Sequence, residues 1–260
     1  MCFVYDIRNT NESTISTSRP MFPWPTEHPA EQLHSLRTTS LAKLVRDDVL
    51  AAILDGALAP GQRINEPDVA GRLKVSRVPV REALRELESS GVVVSRKHAG
   101  VFVRQLSASE VRDLYQLRAL LDGFAGRVAA MLPKAARDAL IGVLDGATAA
   151  MKSALQSADT KRYYAENLRF HWAIVEAAGN PQMAEVYRGI VQKLHISRLK
   201  NLSDDGGKKA SIAEHIAIVK SLRQGDAPNT EARMAAHVEA ALARLQKSIS
   251  QKSIQPETPP

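Results

Sequence analysis

The sequence predicts a mainly α protein in two unequal parts. A small helix-rich domain closed by a β-hairpin comes first, and an all-helical bundle about twice its size follows. Three observations predict this. Aliphatic residues recur at helical spacing over most of the chain from Leu41 onward. One β-branched stretch, VVVSRKHAGVFV from Val92 to Val103, interrupts them. Aromatics are only 5% of the 260 residues and the apolar positions are mostly Ala, Leu and Val, a mixture that favours helices over sheets.

Residues 1–38 hold TNESTISTSRPMFPWPTEHP, rich in Ser, Thr and Pro and without helical period, and are expected to form a disordered tail. Leu41, Leu44, Val45, Val49, Ile53 and Leu54 then mark a first helix that stops at Gly56. Pro60-Gly61 makes a turn. A short second helix follows, with Asn65 as a candidate cap, Asp68 three residues on and Pro67 in its first turn. Lys74-Val75 is a tight connection to a third helix, which begins at Ser76 and stops near Gly91; Pro79 lacks an N–H, so the Ser76 hydroxyl is expected to cap the helix at the Val78 N–H. The stretch from Val92 to Val103 reads as a hairpin with Arg96, Lys97 and His98 near its tip and Gly100 closing the polar segment.

After Leu106 the strand signal ends. Ser107 and Glu110 form a capping box that opens a long helix running to Pro133. Further helices are expected at about 134–157, 160–178, 181–203, 209–224 and 228–249, with breaks at Gly179-Asn180-Pro181 and Gly225-Asp226. The implied domains are 39–106 and 107–250, and 251–260 is expected to be a disordered C-terminal tail.

Net charge is +7, which favours a polyanionic partner. A single cysteine, Cys2, excludes an internal disulfide framework. No apolar run approaches the roughly 20 residues that span a bilayer, and the N-terminus lacks a signal-peptide pattern. No membrane association and a cytoplasmic location are expected.

Two short helices joined by a tight turn read as a helix-turn-helix, and the hairpin makes it winged. In the third helix Val80, Ala83, Leu84 and Leu87 take core spacing, while Arg77, Arg81 and Arg85 recur every four residues on an adjoining stripe. Like charges at that spacing oppose an isolated helix, and positive charge at its N-terminus opposes the macrodipole. An external anion reverses both effects, and phosphate also meets the free first-turn N–H groups. A solvated charged face is the competing explanation. It is preferred for Arg85, which has Glu82, Glu86 and Glu88 nearby, whereas DNA is preferred for Arg77 and Arg81.

LAPGQRINEPDVAGRLKVSRVPVREALRELESSGVV, residues 58–93, closely resembles the winged helix-turn-helix of the GntR transcriptional regulators. The resemblance covers roughly residues 40–105. It implies that Ser76, Arg77, Val78, Pro79 and Arg81 lie at the major groove of operator DNA, with Gly100 at the wing. At Pro67 some relatives carry a DNA-contacting arginine, so that contact does not transfer.

The helical part resembles the FCD effector domain of the FadR-like subgroup, through LYQLRALLDGFAGRVAA, NLRFHWAIVEAAGNPQM, EHIAIVKSLRQGDA and ARMAAHVEAAL. On the residues alone, His171, His215 and His237 stand on three separate helices and read as hydrogen-bonded core histidines. The resemblance makes them metal ligands, with zinc or nickel the natural divalent ions for imidazoles. The family's fourth ligand is usually an aspartate at the position of Asn167, and an amide oxygen is a weaker donor. Arg118 matches an arginine that holds an effector carboxylate in relatives, whereas its residue-level alternative is a surface ion pair with Asp122.

The resemblance therefore implies a homodimeric, DNA-binding transcriptional regulator that is not an enzyme, controlled by a small organic acid in its ligand-binding helical bundle. A metal-dependent hydrolase in the helical domain is the alternative. It leaves the DNA-binding half unexplained, and no companion acid is evident as a general base.

Overall fold

The computed structural model describes residues 41–198 and 205–254. The expected tail at 1–38 and residues 255–260 lie outside the described residues. The element order is α1 (Leu41–Leu54), β1 (Arg63–Ile64), α2 (Glu66–Leu73), α3 (Arg77–Ser89), β2 (Val93–Arg96), β3 (Gly100–Val103), α4 (Ala108–Ala130), α5 (Lys134–Gln156), α6 (Thr160–Ala177), α7 (Pro181–Arg198), α8 (Asp205–Gln224) and α9 (Ala227–Ile254).

The first domain closes over one core. Val49 and Ile53 of α1 meet Val80, Ala83, Leu84 and Leu87 of α3 and Val92, Val93 and Val103 of the hairpin. This is the apolar stripe predicted for the third helix. The sheet has strand order β1-β3-β2, with both pairs antiparallel. Strand β1 is a finding, since two residues give no alternation to read. The α2–α3 turn passes through Lys74 in the left-handed region at φ 53°, and its N–H bonds back to the end of α2.

Two cap expectations need correction. Ser76 is the N-cap of α3 with extended backbone, but its hydroxyl does not bond to the Val78 N–H. Asn65 is likewise the N-cap of α2 without a side-chain cap bond. Both side chains are exposed, so water competes for them. The Ser107–Glu110 capping box is present in full, and Arg104 ties Glu110 to the end of the wing.

In the bundle, α4 runs along α9 and also touches α6, α7 and α8, while α5 packs on α6 and α8. A Cβ at Gly126 would lie 2.7 Å from Met234 Cγ, so glycine permits the close α4–α9 approach. Helix α7 is described to 198 of the 203 expected. Helix α8 begins at 205 rather than 209, and α9 runs to 254 rather than 249. The two domains meet along α7, where His195 Nε2 donates to the Leu54 carbonyl at the end of α1 over 2.9 Å.

Candidate functional site

Two sites emerge, one on each domain. On the first, Ser76, Arg77 and Val78 at the head of α3 are exposed, and Pro79 is half-buried. Val78 is 62% exposed, unusual for a valine in a helix with a well-formed core face. Pro79 occupies the third helical position, where the missing N–H has no intrahelical partner to lose. Arg81 Nε bonds Glu66 at the start of α2 over 2.9 Å, which links the two helices of the motif. Two of the three carboxylates near Arg85 are engaged elsewhere: Glu86 takes Arg46 and Glu88 takes Ser95.

The hairpin continues the same basic character. Arg96 to Ala99 forms its tip, with the Ala99 N–H bonded to the Arg96 carbonyl. The Arg96 guanidinium lies 4.4 Å from the Phe102 ring centre. Gly100 has φ +101°, and a Cβ there would meet Arg63 Nε at 3.0 Å. The backbone favours glycine there, and a side chain would also press on the β1 arginine lying across it.

The second site lies inside the bundle. His171 of α6, His215 of α8 and His237 of α9 converge, with ligand atoms all within 4.8 Å of one another. His171 Nε2 is 3.1 Å from His237 Nε2 and 3.5 Å from His215 Nε2. The other nitrogens of two rings face carboxylates. His171 Nδ1 is 2.8 Å from Asp122 Oδ1, and His237 Nδ1 is 2.6 Å from Glu214 Oε2. Those partners assign the proton to Nδ1 in both rings, which leaves a lone pair on each Nε2. His215 Nδ1 is buried and has no hydrogen-bond partner.

Each carboxylate is held in turn. Asp122 Oδ2 accepts from Arg118 Nε over 3.0 Å, and the Tyr187 hydroxyl donates to both Asp122 oxygens. Arg244 pairs both of its terminal nitrogens with Glu214, at 2.7 and 2.9 Å. Burial pushes the Glu214 carboxyl up, but the bonds from His237 and Arg244 outweigh it and hold it down at about 2. Burial drives the His215 pKa well below its ordinary value, reinforced by His237 and His171. Burial also lowers His237, against the opposing pull of Glu214. His215 and His237 therefore stay neutral and offer lone pairs.

This donor set fits a divalent metal. Two imidazole nitrogens bound to one zinc stand roughly 2.9–3.4 Å apart, given bonds of about 2.0–2.1 Å and tetrahedral or octahedral angles. The observed 3.1 Å lies within that spacing and 3.5 Å just beyond it. Asn167 is buried one turn before His171 on α6.

Arg118 corrects its residue-level alternative. Its ion pair with Asp122 exists but is not on the surface, since the side chains are 3% and 0% exposed. Tyr115 is buried in the same helix. A separate surface cavity of about 310 Å³ runs between α4 and α9, past Tyr115, Leu120, Glu231 and Glu239.

Comparison with known proteins follows these two sites. Residues 41–103 match the bacterial regulatory proteins of the gntR family, and residues 113–240 match the FCD domain. The protein named Probable D-xylose utilization operon transcriptional repressor, of Paenarthrobacter nicotinovorans, is 32% identical over 208 residues, covering 80% of this chain and 89% of that one. The Nta operon transcriptional regulator of Aminobacter aminovorans is 33% identical, covering 69% and 82%.

The chain is a GntR-family transcriptional regulator with an FCD domain.

Solved structures share the fold of this GntR regulator. A GntR regulator from Rhodococcus sp. RHA1 superposes with a TM-score of 0.68 at 23% identity, covering 80% of this chain and 99% of that one. E. coli McbR/YncC gives 0.68 at 20% identity, covering 82% and 100%. The sequence signals missed Tyr187, Glu214 and Arg244, and placed the Arg118–Asp122 pair on the surface rather than inside the bundle.

Proposed function

We propose that this regulator binds double-stranded operator DNA as a homodimer, through Ser76, Arg77, Val78, Pro79 and Arg81 of α3 with Gly100 in the wing. Residues 39–106 are the DNA-reading domain and 107–250 the effector domain. Exposure of the α3 head and the opposition of its arginines to the helix dipole support the DNA contact. Leu117, Leu120 and Phe124, spaced along α4 and 42%, 71% and 46% exposed, support a second copy covering that stripe. No helix among the described residues is long and apolar enough to cross a membrane, which agrees with a cytoplasmic regulator.

Operator affinity follows a small organic acid held in the effector domain at a divalent metal, zinc or nickel. His171, His215 and His237 hold the ion, and Asn167 lends an amide oxygen. The observation that carries this reading is the pair of Nε2 lone pairs set 3.1 Å apart in a buried site, which calls for a cation between them. The bound ion supplies a Lewis acid for an anionic ligand. Arg118, whose Nε is engaged with Asp122 and Tyr187, offers its terminal N–H groups to the ligand's carboxylate.

The test is titration of the full chain against DNA from upstream of its own coding region. Binding that survives excess unrelated DNA supports the reading, and binding that unrelated DNA abolishes equally contradicts it.

A further inference from the structure

We propose that His195 is the positioning residue through which the histidine cluster sets the orientation of the DNA-reading domain. Helix α7 touches both. Near its middle the Tyr187 hydroxyl donates to both oxygens of Asp122, at 3.2 and 3.1 Å, and Asp122 Oδ1 faces His171 Nδ1. Eight residues on, about 12 Å along the axis, His195 Nε2 donates to the Leu54 carbonyl. Tyr187, Val191 and His195 fall at i, i+4 and i+8, so one buried face of one helix carries both contacts.

The contact at Leu54 is specific. The last carbonyls of α1 have no partner within the helix, and His195 satisfies one of them. His195 is buried, and its ring lies tilted against that of Tyr164 with centres 5.0 Å apart, which limits its direction. A second point of contact lies nearby. A Cβ at Gly91, just after α3, would meet Lys193 Cε at 2.9 Å. Helix α7 therefore abuts the DNA-reading domain at the end of α1 and at the corner between α3 and the wing. A helix backbone is stiff along its axis, so a shift at Tyr187 reaches Leu54 with little loss. Since α1 and α3 share one core, displacing α1 displaces the reading helix. A ligand on His171 Nε2 bears on Asp122 and Tyr187 through the opposite nitrogen of the same ring.

This inference rests on cation binding at the cluster, and the experiment separates the two. Operator affinity of the full chain is measured by fluorescence anisotropy, metal-free and with Zn²⁺, and Zn²⁺ affinity is measured by competition with a chromophoric chelator. Wild type is expected to change operator affinity by about 5-fold or more on Zn²⁺ addition. His195→Phe keeps an aromatic ring against Tyr164 but removes the donor. It should bind Zn²⁺ as wild type does, with the operator change reduced to less than about 2-fold. His195→Gln restores a donor and should restore the change. Should His195→Phe not fold, Tyr187→Phe cuts the other end of the same connection and should reduce the change likewise. A full wild-type change in the His195→Phe or, in its place, the Tyr187→Phe protein overturns the role of α7 and leaves cation binding standing. No Zn²⁺ binding in wild type overturns both, and Zn²⁺ binding without an operator change overturns the role of α7 alone.

Discussion

His171 Nε2 and His237 Nε2 face each other across 3.1 Å with a lone pair on each. Asp122 fixes the proton of one ring and Glu214 that of the other, both on the far nitrogen. Two acceptors at that separation repel unless an electrophile lies between them. Burial disfavours a shared proton, as the lowered His237 and His215 pKa values indicate. A dication bound by neutral imidazoles meets the same demand without protonating them.

Glu214→Gln should therefore weaken divalent-metal affinity by about 10–100-fold, because it loosens the orientation of His237 without removing a ligand. His171→Ala should remove stoichiometric metal altogether. Chelator competition with Zn²⁺ or Ni²⁺ measures both, and wild-type metal content in His171→Ala contradicts the assignment.

At the DNA face, Arg77→Ala and Arg81→Ala should each cost about 1–3 kcal/mol if the guanidinium meets a base. A phosphate contact instead lowers the salt slope by about one. The Arg81–Glu66 pair is 58% and 29% exposed, so its loss should leave the melting temperature almost unchanged. Anisotropy across a salt series, beside a thermal melt, reads both. Unaltered operator discrimination in the double variant excludes α3 as the reading helix.

The buried histidines give the metal-free protein a signed pH dependence. His215 and His237 have folded pKa values below the ordinary 6.5, so below that pH the unfolded chain binds protons that the fold does not. Stability is complete above about pH 6.5 and falls as pH drops, by up to about 1.4 kcal/mol per unit for each group. His215→Phe, with Phe170 already packed against that ring at 4.2 Å, should flatten the dependence. Chelator-treated melts that do not move between about pH 7.5 and 5.5 contradict this.

Two glycine substitutions separate packing from propensity. Gly126→Val drives a branched side chain into Met234 and should destabilise the effector domain by about 1–3 kcal/mol. A Cβ at Gly146 meets nothing within 4 Å, so Gly146→Ala in exposed α5 should stabilise by about 0.5–1 kcal/mol. Thermal melts should shift in opposite directions.

Much of this was legible in the sequence. Helical spacing located the long elements, and the motif around VSRVPVREAL located α3, because period and capping are local properties. Three histidines on three helices were legible as candidates, but their convergence was not, since it depends on how α6, α8 and α9 cross. Asp122 was misread for the same reason. An arginine and an aspartate four apart read as a solvated pair, yet α4 is enclosed by α6, α7, α8 and α9, and the pair is buried. The Ser76 cap failed differently, because exposed hydroxyls are not held to one partner. Strand β1 was too short to carry a pattern, and the α7 contact at Leu54 joins residues 141 positions apart.

The central claim is that occupancy of the histidine cluster sets operator affinity. The most direct measurement is the operator dissociation constant of chelator-stripped and Zn²⁺-loaded protein, wild type beside His171→Ala. The account predicts a change of about 5-fold or more in wild type and none in the variant. Equal constants for stripped and loaded wild type, or the same change in His171→Ala, would contradict it.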